Sequence, residues 1–165
     1  MHDKLTEADI AKMKEEIEYR KTVVRKEALE DVKVARAQGD LSENFEYKAA
    51  KQFKNQNESR IRYLEKMVKT AHVIEDHSAS DEVGLNDKVT VYFPEDDEEE
   101  VYKIVTTIRG NSMEGRISID SPIGKALLGH KVGDTVTVQV NDSISYELQV
   151  RAICADGEET EIRKF

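Results

Sequence analysis

The chain has 165 residues, of which 38% are hydrophobic and 36% are charged, and its formal net charge is −9. This composition suits one or two small domains with a modest core, and the lack of any apolar run near 20 residues predicts neither a signal peptide nor a membrane span. A single cysteine, Cys154, excludes an intramolecular disulfide, and the four histidines lack metal-ligand spacing, so we expect a cytoplasmic protein without a zinc site.

Two long amphipathic runs open the chain. Apolar residues recur every three or four positions, which is the helical period. In the first run they are Ile10, Met13, Ile17, Val24, Ala28, Val32 and Ala35. In the second they are Tyr47, Ala50, Ile61, Leu64, Val68 and Ala71, with Lys54 and Asn57 interrupting the stripe. Neither run contains proline, so we predict two helices of about 45 Å that pack antiparallel as a coiled coil.

The only strong break between the two runs is Gly39-Asp40-Leu41-Ser42-Glu43-Asn44. It puts two carboxylates, Asp40 and Glu43, at the tip of the predicted hairpin. One interpretation is structural: Asp40 or Ser42 caps the second helix, and an acid three residues later meets the helix dipole. The other is that the two acids serve a function at an exposed tip. The spacing alone favours the structural interpretation.

Charge divides the chain into two parts at Ser78-Ala79-Ser80. Residues 1–77 hold 16 basic and 16 acidic residues, whereas residues 78–165 hold 9 and 18, so the whole net charge belongs to the second part. We therefore predict two domains with these bounds. The second helix is locally basic through Lys48, Lys51, Lys54, Arg60, Arg62, Lys66 and Lys69. Most of these charges suit a solvated helix face, and the alternative is that a few contact nucleic-acid phosphates.

The second part of the chain changes to the period of strands. Apolar and polar residues alternate at Val89–Phe93, at Val101–Ile104, at Ile117–Ile119 and at Val136–Val140. Ser121-Pro122 before an apolar run that ends at Gly129 predicts one short helix, with a serine cap, proline in the first turn and glycine at the stop. Turns are predicted at Gly133-Asp134 and at Asn141–Ser143. The fold class is therefore α+β, a coiled-coil hairpin followed by a small antiparallel sheet with one short helix.

Several of these segments together resemble the bacterial Gre transcript cleavage factors, of the GreA type. The matching residues are Ala35-Arg36, Gly39 to Asn44, Glu46-Tyr47, Ala49-Ala50-Lys51, Arg60-Ile61, Leu64-Glu65 and Ser121 to Gly129. The resemblance extends to about Ile153. It implies a coiled coil that enters the secondary channel of bacterial RNA polymerase, and a second domain with an FK506-binding-protein-like (FKBP-like) fold that docks on the polymerase.

The resemblance also assigns roles to individual residues. Asp40 and Glu43 would be carboxylates that assist Mg²⁺ held jointly with the polymerase, and Ser42 would orient substrate or water. RNA or polymerase contacts fall on Lys48, Lys51 and Lys54, and docking contacts on Ser121, Pro122, Gly124 and Leu127. The expected partners are RNA polymerase and the 3′ end of nascent RNA, with no membrane and no cofactor of the protein's own. The protein would stimulate cleavage by the polymerase rather than act as an enzyme.

Phe45 departs from the family pattern, which usually has a small residue there. It leaves open a second function, a secondary-channel regulator that binds polymerase without stimulating cleavage. A third possibility, a coiled-coil adaptor or chaperone, would make the tip acids dispensable. A self-sufficient hydrolase is the weakest hypothesis, because no complete set of catalytic groups can be assembled from the sequence.

Overall fold

We describe the fold from a computed structural model, in which residues 3–39, 44–156 and 160–163 are described. The chain forms two compact units. One consists mainly of Glu7–His72, and the other contains Lys4–Thr6 and the described residues from 73 onwards. In the described ranges, no helix is both long enough and apolar enough to cross a membrane.

The first unit is a helical hairpin. Its first arm runs through α1 (Glu7–Tyr19), a π-helical turn (Arg20–Val24) and α2 (Arg25–Arg36), and its second arm is α3 (Phe45–Thr70). Cross-arm contacts join Ala35 to Asn44, Arg20 to Asn57 and Glu16 to Arg60, so residue numbers fall along one arm as they rise along the other. The arms are therefore antiparallel, as the periodicity predicted. At 26 residues, α3 is about 39 Å long.

The predicted apolar stripes form the contact between the arms. Met13, Ala28, Ile61 and Leu64 are fully or almost fully buried, and Ala35 is also buried. Asn57, which interrupts the stripe in the sequence, is buried as well. It is tolerated there because its amide is hydrogen-bonded across the hairpin to Arg20.

The second unit is a five-stranded sheet. Its strands are β3 (Asp87–Phe93), β4 (Glu98–Val105), β5 (Arg116–Ser118), β6 (Thr135–Gln139) and β7 (Ser145–Ala155), in the order β5-β4-β3-β7-β6. Two short strands, β1 (Lys4–Leu5) and β2 (His72–Val73), form a separate two-stranded sheet. The α+β class is confirmed. The four strand patterns predicted from alternation correspond to β3, β4, β5 and β6, and β7 is the long strand after the predicted turn at Asn141–Ser143.

The five-stranded sheet is mixed rather than purely antiparallel. β5 pairs parallel with β4, with Ile104 opposite Ile117, while the other three pairings are antiparallel. Between β4 and β5 the chain makes two 3₁₀ turns, Thr107–Arg109 and Ser112–Glu114, and Gly115 then takes a left-handed backbone with φ of 76°. This crossover brings the chain back to run in the same direction as β4, which a simple hairpin cannot do.

One face of this sheet holds the core. Val89, Val91, Ile104, Val138, Leu148 and Val150 are fully buried, together with Leu127 from α4 (Pro122–Leu127). The predicted caps of this helix are present: Ser121 Oγ accepts the Gly124 N–H at 3.1 Å, Pro122 stands in the first turn, and Gly129 has a φ of 81° just beyond the end. The single predicted helix of this part is therefore confirmed.

Candidate functional site at the tip of the helical hairpin

The tip segment, residues 40–43, carries the predicted metal-assisting acids. Asp40 and Glu43, and with them Ser42, lie outside the described residues. Their roles therefore stay predictions, and the site is built here from the residues that flank them. Among the described residues, no group of three or more His, Cys, Asp or Glu side chains is placed to hold a metal ion.

Asn44 connects the two arms where the tip segment ends. Its Oδ1 accepts the Tyr47 N–H at 3.0 Å, and its Nδ2 donates to the Ala35 carbonyl at 2.7 Å. The first bond caps α3, and the second gives an additional donor to a carbonyl in the last turn of α2, which also accepts the Gln38 N–H at 3.2 Å. One side chain thus ties together the two helix ends that the tip segment joins.

This geometry corrects the proposed helix cap. We expected Asp40 or Ser42 to cap the second helix, but the N-cap residue is Asn44 and the helix begins at Phe45. An asparagine amide can accept from α3 and donate to α2 together, whereas the Asp40 carboxylate could only accept. Ser42 precedes the cap position by two residues, because the helix begins at Phe45. The purely structural explanation of Asp40 as the cap is therefore wrong.

An aromatic residue packs beside this connection. Tyr47 is half-buried in the first turn of α3, and the Arg36 guanidinium carbon lies 5.9 Å from the centre of its ring. That distance suits a cation–π contact between the arms. The expected packing role of Tyr47 agrees with this position.

The three lysines assigned to RNA or polymerase contact differ in exposure. Lys48 and Lys51 are exposed and line an open groove of about 500 Å³ along α3, together with Gln52, Asn55, Gln56 and Ser59. Lys54 is half-buried and does not line this groove, and its positive charge helps to lower the pKa of Glu58. The groove thus combines two ammonium groups with amide side chains.

Further along the hairpin, a layer of ionic side chains holds the arms together. Glu16 Oε2 accepts from Arg20 Nε at 2.8 Å and from Arg60 Nε at 2.9 Å. Burial alone would raise the pKa of Glu16, but the hydrogen bonds and charges of the two arginines outweigh it, so the pKa lies below its ordinary value. Glu16 is therefore ionised at neutral pH. Arg60, which the sequence counted among the basic surface residues, is buried in this layer.

The π-helical turn lies next to this ionic layer, and sequence reasoning missed it. The Arg25 N–H donates to the Arg20 carbonyl, five residues back instead of the four of an α-helix. The same carbonyl also accepts a hydrogen bond from Asn57 Nδ2 at 3.3 Å. The signal was present in the spacing of buried residues. Ala28 and Ala35 are one heptad apart, whereas Met13 and Ala28 are separated by two heptads and one extra residue. The π turn accommodates that extra residue.

The four predicted docking residues are placed differently from one another. Leu127 is fully buried in the sheet core, and an added Cβ at Gly124 would lie 2.0 Å from the Ser118 carbonyl oxygen. Ser121 is the N-cap of α4, so these three residues build the helix. The docking role of these four residues stays a prediction, and Pro122 is the one among them that is exposed.

Comparison with known proteins agrees with both units. Residues 4–73 match the family model described as "Transcription elongation factor, N-terminal", and residues 77–154 match "Transcription elongation factor, GreA/GreB, C-term". The family models match both the helical hairpin and the small sheet unit. The chain therefore belongs to the GreA/GreB family of transcription elongation factors.

Its relatives indicate the GreA type within that class. The proteins called transcription elongation factor GreA in Bacillus licheniformis and Geobacillus kaustophilus are 52% and 50% identical to it over 136 residues, which is 82% of this chain and 86% of each relative. Among solved structures, the GreA factor homolog Gfh1 of Thermus thermophilus is 30% identical, with 93% of this chain and 99% of that chain covered and a TM-score of 0.43. Another structure, of the transcription factor Gfh1, is 29% identical with a TM-score of 0.46 and coverages of 93% and 97%.

Proposed function

We propose that this GreA-type elongation factor binds bacterial RNA polymerase, inserts the tip of its hairpin through the secondary channel and stimulates cleavage of nascent RNA in backtracked complexes. The reaction belongs to the active site of the polymerase, and the protein supplies groups that assist it. The family membership supports a role in elongation. The observation that carries the rest of the proposal is the Asn44 tie between α2 and α3.

The Asn44 tie fills the capping role that the structural interpretation gave to Asp40. Asn44 caps α3 and also donates to the Ala35 carbonyl in the last turn of α2. The two acids lie among the eight residues of the sequence between Arg36 and Phe45. Such an arrangement suits carboxylates whose purpose is to meet a partner.

The residue types at the tip fit a shared Mg²⁺ ion. Mg²⁺ prefers oxygen ligands in an octahedral arrangement, and two carboxylates provide only part of such a set. Asp40 and Glu43 would therefore hold the ion together with polymerase groups, and Ser42 would orient substrate or water by a hydrogen bond. When bound, the ion would lower the pKa of a water molecule and neutralise charge on the leaving oxygen.

The exposed groove on α3 suits contacts with RNA. Lys48 and Lys51 present ammonium groups and Gln52 presents an amide, and these groups recognise phosphates and base edges respectively. We propose that Lys48 and Lys51 contact nascent RNA near its 3′ end, and that Lys54 adds positive potential from its half-buried position.

The decisive experiment uses a stalled, backtracked bacterial elongation complex with Mg²⁺. We expect the protein to accelerate RNA cleavage and the double variant Asp40→Ala/Glu43→Ala to lose this effect while it still competes for polymerase. The matched control is Glu27→Ala/Glu30→Ala, which removes two exposed acids with the same spacing from α2. Far-UV circular dichroism verifies that all variants keep their helix content.

The outcomes separate the candidate functions. Cleavage that depends on the tip acids but not on Glu27 and Glu30 supports the proposal. Competitive binding without cleavage by the unmodified protein would identify a channel-blocking regulator instead. Failure to bind polymerase at all would point to an adaptor outside transcript cleavage.

A further inference from the structure

Phe45 is the most exposed aromatic side chain among the described residues. It is the first residue of α3, directly after the Asn44 cap, and 79% of its surface is exposed. Exposure of a large ring costs hydrophobic stabilisation, and nothing in the hairpin core requires a phenyl group at this position. The ring belongs to the first turn of α3, and the side chain of the preceding Asn44 is hydrogen-bonded to both arms.

A cation accompanies the ring. Lys48 is one turn further along α3, and its Nζ lies 5.6 Å from the centre of the Phe45 ring. This distance is within the range of a cation–π contact. The pair therefore presents an aromatic face and an ammonium group side by side, next to the tip segment.

The surroundings favour a nucleotide over an apolar protein surface. The residue that follows on this side of α3 is the small Ala49, and the next exposed ring, Phe53, lies two turns further along, about 12 Å away, so Phe45 does not belong to a continuous apolar patch. Between positions 45 and 57 the helix carries three lysines and only one acid, Glu46. An isolated ring beside positive charge is the combination by which proteins hold single-stranded nucleic acid, with the base on the ring and the phosphate on the cation.

We propose that Phe45 stacks on an unpaired base of the nascent RNA at its extruded 3′ end, and that Lys48 contacts the phosphate of the same nucleotide. The inference rests on the proposed function, because it needs the tip to reach backtracked RNA. Phe45 is then a positioning residue: it holds the RNA beside Asp40 and Glu43 and takes no part in the chemistry. The stack makes cleavage depend on the extruded base, since purines offer more surface to a ring than pyrimidines, and an abasic sugar offers none.

The test compares three backtracked complexes that differ only in the extruded 3′ nucleotide: a purine, a pyrimidine or an abasic site. The variants are Phe45→Ala, and Phe45→Tyr, which keeps the ring. The control is Phe53→Ala, which removes another exposed ring of the same helix, 51% exposed. Rates are measured with the factor below saturation, so that a lost contact to RNA is visible.

We expect the unmodified protein to cleave the purine-ended RNA about tenfold faster than the abasic one, a ratio within the usual energy of base–aromatic stacking. Phe45→Ala should lower the purine rate to the abasic rate and leave the abasic rate unchanged, while Phe45→Tyr and Phe53→Ala should keep the base preference. An equal loss on all three RNAs would overturn the inference and place Phe45 against the polymerase wall. Cleavage by the unmodified protein without base preference would also overturn it and leave the proposed function intact, whereas no cleavage by the unmodified protein would refute both.

Discussion

At the scale of single residues, Asn44 connects the ends of the two arms of the hairpin. Sequence reasoning found the break and its acids but gave the cap to the wrong residues, because Asp, Ser and Asn are all good helix caps. What separates them is a contact that is remote in sequence, the bond to the Ala35 carbonyl nine positions earlier. No local pattern reveals such a contact, so the sequence indicated a cap in this region without identifying it.

We expect Asn44→Ala to destabilise the hairpin by about 2 kcal/mol, because it removes a helix cap and leaves the Ala35 carbonyl without this donor. Asn44→Asp keeps the capping acceptor and loses only the donor, so about 1 kcal/mol is expected. Urea unfolding followed by the helical circular dichroism signal measures both. Equal losses in the two variants would contradict the assignment of the cap, and no loss in either would contradict the tie between the arms.

At the scale of elements, the long helices and most strands follow from periodicity alone. Heptad-like spacing placed Met13, Ala28, Ile61 and Leu64 in the contact between the arms, and alternation placed Val89 and Val91 in the sheet core. Two features escaped this reasoning. The parallel pairing of β5 depends on a crossover through two 3₁₀ turns, and the π turn depends on one extra residue between buried positions. Both features depend on how one segment of the chain aligns with another that is distant in sequence. A periodic pattern within a single segment does not contain that information.

The π turn leads to a prediction about deletions. Removing Thr22, an exposed residue of that turn, restores heptad spacing between Met13 and Ala28 and converts the turn to α-helix. The flanking helices keep their register against α3, so the free energy of unfolding should fall by about 1 kcal/mol or less. That loss corresponds to the hydrogen bond that Asn57 donates to the Arg20 carbonyl in the π turn.

The matched control for this deletion is removal of Glu30, another exposed residue of the same arm. It lies between Ala28 and Ala35, which already have heptad spacing, so its loss rotates one side of the arm by about 100° and removes buried residues from the contact. We expect a destabilisation above about 3 kcal/mol. Thermal unfolding by circular dichroism compares the two proteins, and equal stability would show that the π turn is not the site of the extra residue.

At the scale of the whole molecule, the net charge of −9 suggests poor affinity for RNA, yet the net negative charge belongs to residues 78–165, since residues 1–77 carry equal numbers of acidic and basic residues. Salt screens charges beyond about 8 Å at physiological ionic strength, so contact with RNA depends on the residues around the contact rather than on the total. On α3 those residues include the exposed Lys48 and Lys51. The sequence could predict that the second helix is basic. It could not predict that Arg60 forms a salt bridge with Glu16, or that Lys54 lies outside the groove.

This local view predicts how cleavage responds to salt. Each phosphate contact to a single strand contributes about 0.7 to the slope of log affinity against log salt, so Lys48→Gln/Lys51→Gln should make that slope shallower by about 1.4. The measurement is the factor concentration for half-maximal cleavage of backtracked RNA, between about 50 and 200 mM salt. Lys26→Gln/Lys33→Gln removes two exposed charges from the other arm and makes the same change in net charge. If both pairs flattened the slope equally, net charge would govern the association; a change confined to the first pair places the RNA on the α3 groove.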